Sequence, residues 1–323
     1  HWRWLPSPEE QLLAAKRNAP SAALDGATAA AVQDALANPE WPAFRGADRA
    51  GRQTGTKFDL DWSTNEPEEL WRIAVGPAWS SFVVAGDLLV TQEQRGKMEV
   101  VVAYDAQSGR EYWTTEIESR FDDPLGGPGP RGTPTLAGDG LYAVGAEGIV
   151  LRLDPKSGQV VWQQDLRELA DRQPPMWGFS SSPLVVGSSV VVYAGGKGDK
   201  GTLAFDAESG DLRWSAAAGD HSYSSPQLGR LAGNDYLLML TNTGLDVLDP
   251  ETGEDRLRYE WKHEGYRSLQ PQVVDGDSVL IPTGMGSGTR RIQITSDGDD
   301  LNAEELWTSR NLKPDFNDFV VYQ

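Results

Sequence analysis

The chain has three histidines, His1, His221 and His263, and none stands in a spacing that binds a metal, such as two histidines one helical turn apart. It has no cysteine, which removes thiol nucleophiles, thiolate metal sites and disulfides together. Gly284-Met285-Gly286-Ser287-Gly288 resembles a dinucleotide-binding turn, but it lies between strand patterns with no helix after it and reads as a hairpin loop. Gly195-Gly196-Lys197-Gly198-Asp199-Lys200 lacks phosphate-loop spacing and reads the same way. Asp297-Gly298-Asp299-Asp300 gathers carboxylates without the ligand pattern of a calcium loop, so it reads as a solvated turn. His221, within Asp220-His221-Ser222-Tyr223, precedes a strand pattern and is expected to bond within its loop. A formal net charge of −19 argues against nucleic acid as a partner, because phosphate binding needs clustered Lys and Arg. The plain consequence of that charge is solubility. No catalytic residue, metal ligand or cofactor-binding residue is assigned.

The carboxylates that do recur sit in turns. Asp154-Pro155-Lys156-Ser157-Gly158 leads to Trp162. Val150-Leu151-Arg152-Leu153 brings a strand in, Asp154 accepts from the turn amides, Pro155 pre-sets φ, and Gly158 takes the left-handed position. Asp105 to Gly109 leads likewise to Trp113, and Asp206 to Gly210 leads to Trp214. A looser copy runs from Asp249 to Gly253, with Leu257 in place of the indole. The four glycines are 49, 52 and 43 residues apart, and Trp71, Trp113, Trp162 and Trp214 step by 42, 49 and 52. A repeat of roughly 40–50 residues containing several short strands is the signature of a β-propeller blade. Regular recurrence at one position predicts that each Trp packs between neighbouring blades.

The elements that carry these turns follow in order. His1-Trp2-Arg3-Trp4-Leu5 mixes aromatics with a cation, as at a membrane–water interface. Ser7-Pro8-Glu9-Glu10 is a capping box that opens a short helix through about Arg17. Ala27 to Ala37 predicts a second helix, stopped by Asn38-Pro39. Residues 1–40 read as a helical arm or tether and 41–323 as the propeller. Leu70 to Val75 has the character of a blade's last strand. Five units follow, each with a Ser/Thr-rich lead-in, an apolar strand, a Gly-containing hairpin and the Asp-to-Trp turn. Phe316 to Gln323 reads as the inner strand of a sixth unit. The expectation is therefore an all-β propeller of four-stranded blades, about five complete here, within a longer chain of seven or eight. Such a ring needs roughly 80–130 further residues.

The turns ending at Trp113, Trp162 and Trp214, with Ser-Ser-Pro at Ser181-Ser182-Pro183 and Ser224-Ser225-Pro226, resemble the repeats of the pyrroloquinoline-quinone-like propeller superfamily. Trp41-Pro42-Ala43-Phe44-Arg45-Gly46 resembles a motif of its exported, BamB-like, non-catalytic members. The resemblance covers about residues 41–323 and implies the fold. It implies two kinds of function, quinoprotein dehydrogenase or binding module. A quinoprotein site calls for carboxylate and amide ligands around Ca²⁺, an Asp base and commonly a vicinal disulfide. The disulfide cannot form here. By repeat phase, Trp79, Arg131, Trp177, Tyr223, Tyr266, Arg267 and Phe316 should ring one mouth of the propeller, and Trp, Tyr and Arg are enriched in interface hot spots. The reading is an exported scaffold in the periplasm or at the cell surface, without cofactor, that binds protein partners there. A membrane complex is one such partner, and an anchor before residue 1 is a further expectation. The alternatives are a quinoprotein dehydrogenase completed by further sequence and an accessory subunit of a membrane complex.

Overall fold

The computed structural model describes residues 5–17, 24, 26–55, 57, 59–298 and 300–322. Trp2, Trp4 and Asp299 lie outside them.

Helix α1 (Pro8–Arg17) opens with a closed capping box: the Ser7 amide donates to Glu10 at 2.7 Å and the Glu10 amide to the Ser7 hydroxyl at 3.2 Å. Helix α2 (Gly26–Leu36) buries Val32 and Leu36 against the first blades. Five four-stranded antiparallel meanders follow among the described residues. Blade one is β1 (Val83–Ala85), β2 (Leu88–Arg95), β3 (Met98–Asp105) and β4 (Glu111–Glu118). A two-stranded ribbon, β5 (Asp122–Asp123) and β6 (Gly127–Pro128), sits in the next connection. Blade two is β7 (Thr135–Ala137), β8 (Gly140–Val144), β9 (Ile149–Leu153) and β10 (Val160–Asp165), followed by the short helix α3 (Leu166–Leu169). Blade three is β11 (Leu184–Val186), β12 (Ser189–Tyr193), β13 (Thr202–Asp206) and β14 (Leu212–Ala216). Blade four is β15 (Gln227–Leu231), β16 (Asn234–Leu240), β17 (Gly244–Leu248) and β18 (Asp255–Glu260). Blade five is β19 (Gln272–Val274), β20 (Ser278–Thr283), β21 (Gly288–Asp297) and β22 (Asp300–Ser309). The chain is a β-propeller.

The inner strands are apolar on both faces because each face meets a different neighbour. Side chains alternate along a strand. In blade two, Leu141, Ala143, Leu151 and Leu153 join the core shared with blade one, whereas Tyr142, Val144 and Val150 join the core shared with blade three. Val190 and Val192 of β12 face blade two, and Val191 faces blade four. The core is thus a series of inter-blade layers.

The turn glycines and tryptophans interlock. The Trp113 indole donates to the Pro155 carbonyl at 3.0 Å, and its ring lies where a Cβ on Gly158 would point. Trp162 covers Gly210 in the same way, 2.7 Å from the position of a Cβ, and donates to Ala207. Trp71 covers Gly109 and Trp214 covers Gly253. Each glycine therefore has two reasons to be there, a positive φ of 70–79° and a flat aromatic neighbour. Within each turn the Asp accepts two amides; Asp206 takes those of Glu208 and Ser209 at 2.9 Å each, which hold its carboxyl below the usual range. The Ser/Thr lead-ins form a second inter-blade tie near the axis. The Ser81 amide donates to Thr133 Oγ1, the Thr133 amide to Ser182 Oγ, and the Ser182 amide to Ser225 Oγ, at 2.9–3.0 Å.

Two elements differ from expectation. Leu70 to Val75 is extended but unpaired; it covers blade one through Trp71 and through Ile73 packed beside Val100 and Val102. Residues 316–322 make no strand pairing either. They are anchored through side chains and carbonyls, because the partner of Phe319 is a guanidinium and not a sheet edge.

Candidate functional site

An antiparallel meander sorts its loops onto two ends. Asp-to-Gly turns lie at one end, and the connections from each outer strand to the next inner strand lie at the other. The seven residues expected at this second end, the mouth, divide into three groups.

Trp177, Tyr223, Tyr266 and Phe316 come together from four successive connections. The Trp177 ring lies 4.8 Å from Tyr223, 4.6 Å from Tyr266 and 5.6 Å from Phe316, and Tyr266 stacks on Phe316 at 5.2 Å. Trp177 is the hub that contacts the other three rings, and the cluster offers its outer surface. His221 adds an edge-on contact to Tyr223 at 5.2 Å. Phe316 is 61% exposed and neighbouring Met176 is 71% exposed.

Trp79 and Arg131 are organised by the β5–β6 ribbon instead. The Trp79 indole donates to Gly126 at 2.8 Å, and the Arg131 guanidinium pairs with Asp123 and lies over the Phe121 ring at 4.8 Å. Leu125, at the tip of this ribbon, is largely exposed.

Arg267 is not a mouth residue in the sense expected. Its side chain is buried and donates to the carbonyls of Thr241 and Trp261 and to the Thr283 hydroxyl. Its backbone carbonyl accepts the Tyr223 amide at 2.8 Å, but a guanidinium with three internal acceptors turns inward.

Two features had no local signal. Glu99, on β3, is buried and accepts the Ala146 amide at 2.9 Å; burial pushes its carboxyl up to about 7. Nothing within Met98-Glu99-Val100 marks the acid as buried. The second feature is the segment from Trp41 to Gly51, which runs across the inner strands instead of forming a polar connection. Its backbone bridges Val84 of β1 and accepts from Leu136 of β7 at 2.7 Å. Arg49 reaches the Ser182 and Pro183 carbonyls, and Arg45 reaches Phe319.

The arrangement bears on the quinone and Ca²⁺ that the superfamily includes. Among the described residues, no group of three or more His, Asp or Glu side chains could hold a metal ion. The groups around the axis are hydroxyls, amides, the Arg49 guanidinium on two carbonyls and the Arg45 guanidinium paired with the Asp318 carboxylate and the Phe319 carbonyl, with backbone lying across them. The donors that the described residues bring together here do not by themselves fit a calcium–quinone pair.

The family described as outer membrane protein assembly factor BamB matches residues 63–281 and 172–310. The chain belongs to that family, within the pyrroloquinoline-quinone-like propeller superfamily. Among curated proteins it is similar to quinohemoprotein alcohol dehydrogenase ADH IIB of Pseudomonas putida, 32% identical over 124 residues, which cover 35% of this chain and 17% of that protein. Among solved structures, BamB from Moraxella catarrhalis superposes with a TM-score of 0.51 at 19% identity, covering 73% of this chain and 61% of that one. Quinohemoprotein alcohol dehydrogenase from Comamonas testosteroni gives 0.55 at 16% identity, over 82% and 48%. At such identities the structural likeness establishes the fold. The chain spans between 17% and 61% of the length of these relatives.

Proposed function

We propose that this protein is an exported, non-enzymatic propeller that docks a protein partner on its mouth, in the periplasm or at the cell surface. The observation that carries this reading is the aromatic cluster of Trp177, Tyr223, Tyr266 and Phe316, flanked by exposed Met176. Aromatic rings locked by their neighbours present apolar area at little entropic cost, as interface hot spots do. The family description, an outer-membrane assembly factor, supports a protein partner and a membrane complex as the setting. Residues 1–40 would then carry the tether. No helix among the described residues is long and apolar enough to cross a membrane.

The local identity to a quinohemoprotein dehydrogenase favours a second reading, an enzyme completed by further sequence. One experiment separates the two. Wild type and Phe316→Asp are used for affinity capture from the source cell envelope, and both are titrated with quinone and Ca²⁺. The docking reading expects a defined partner with wild type, reduced about tenfold or more with Phe316→Asp, and no quinone uptake. Stoichiometric, Ca²⁺-dependent quinone binding would put the dehydrogenase in its place.

A further inference from the structure

Residues 41–51 touch more of the ring than any connection of similar length would need to. The Trp41 amide donates to the Val84 carbonyl at 3.1 Å, and the Trp41 carbonyl accepts from the Val84 amide at 2.8 Å. The Leu136 amide of blade two donates to Pro42. Arg49 donates to Pro183 at 2.8 Å and Ser182 at 3.2 Å in blade three, and Gln227 of blade four donates to the Asp48 carbonyl at 3.0 Å. Arg45 pairs with Asp318 at 2.8 Å and donates to Phe319 at 2.6 Å. Four blades and the 318–319 segment thus meet on one short stretch.

The chemistry of these contacts is that of recognition. Arg49 is only 2% exposed, its Nε has no hydrogen-bond partner among the described residues, and burial lowers its guanidinium to about 9. A guanidinium is taken out of water at great cost unless its donors are met by a fixed set of acceptors. Here the acceptors are backbone carbonyls of the lead-in Ser182-Pro183, held in place by the inter-blade hydroxyl tie at Ser182. Arg45 and Arg49 both stand in the left-handed region, at φ 66° and 53°. Side-chain-bearing residues hold that conformation only where their surroundings fix it.

We propose that the propeller axis is a binding site for a turn-forming, arginine-bearing peptide segment, filled in cis by Trp41–Gly51, and that Arg45 positions Phe316 at the mouth. The second half rests on the docking surface described above; the first stands without it. The link is covalent and short. Phe316 lies two residues before Asp318, so the pair of Arg45 with Asp318 and Phe319 fixes the strand of chain on which the mouth aromatic sits.

Amide hydrogen exchange on the full chain tests this site by site. The Val84 and Leu136 amides donate directly to the segment, and residues 316–322 report the Arg45 anchor. Arg49→Lys and Arg45→Lys keep the charge but cannot span two carbonyls. Exchange at Val84 and Leu136 should rise about tenfold or more in Arg49→Lys, and exchange over 316–322 by a similar factor in Arg45→Lys, while β9 stays within about twofold. Unchanged exchange at all these positions, or a rise shared equally by β9, would overturn the proposal. Capture unaffected by Phe316→Asp, with exchange at Val84 and Leu136 still raised by Arg49→Lys, would overturn the docking surface alone and support the axial site.

Discussion

The two ends of the propeller are built by opposite rules. At the turn end the same five-residue device recurs, with Asp206 or its equivalent bonding amides two and three residues ahead, and a tryptophan from the blade before closing over the glycine. At the mouth no two connections are alike: one carries a β-ribbon, one the helix α3, and one the exposed Phe316. Uniformity marks the end that holds the ring together, and variety marks the end free to specify a partner.

The sharpest way to break this comparison is to exchange the costs. Trp162→Ala removes a buried ring from the layer between blades two and three and should cost about 3–5 kcal/mol in chemical denaturation. A loss below about 1 kcal/mol would mean the turn end is not what fastens the blades. Gly210→Ala forces a Cβ toward the Trp162 ring at φ 79° and should cost about 1–3 kcal/mol by the same measurement.

Glu99 tests the layer between blades one and two beneath the mouth. Burial raises its carboxyl from 4.5 to about 7, so the native chain keeps a proton that the unfolded chain releases. This contribution is fully present below about 4.5, falls as pH rises, and is lost above about 7; Asp246, raised to about 7, acts with the same sign. Glu99→Gln should flatten the decline across that window by about 1–3 kcal/mol in denaturation curves taken at several pH values. A profile as steep as wild type would show that Glu99 titrates normally.

Smaller effects sharpen the contrast. Thr133→Val keeps the shape and deletes the oxygen that accepts the Ser81 amide, for about 0.5–1.5 kcal/mol. Phe316→Asp, at an exposed ring, should change stability by no more than about 0.5 kcal/mol while reducing partner capture.

Legibility in the sequence follows the same division. The Asp105, Asp154, Asp206 and Asp249 turns are readable because the bonds that close them, from the amides two and three residues ahead to the Asp carboxyl and from the Gly amide to the Asp carbonyl, lie within five residues. Even the indole was announced by its spacing. Repeat phase also brought Trp177, Tyr223, Tyr266 and Phe316 to one place, since phase fixes where a connection starts. It says nothing of burial: phase puts Arg267 at the mouth, and three internal acceptors draw its side chain inward. Arg45 and Phe319 are 274 residues apart, and nothing local marks either as the other's partner. Glu99 stands at the edge of an apolar run, and on a strand buried on both faces nothing local tells that its carboxyl meets the Ala146 amide.

The central claim is that partners meet the mouth and not the turns. A photo-crosslinking side chain placed at Met176, beside the aromatic cluster, and another at Gln107, exposed in a turn, report the two ends in the same envelope preparation. The account predicts a discrete adduct from position 176 that disappears with Phe316→Asp, and none from 107. Adducts from 107 with none from 176 would contradict it.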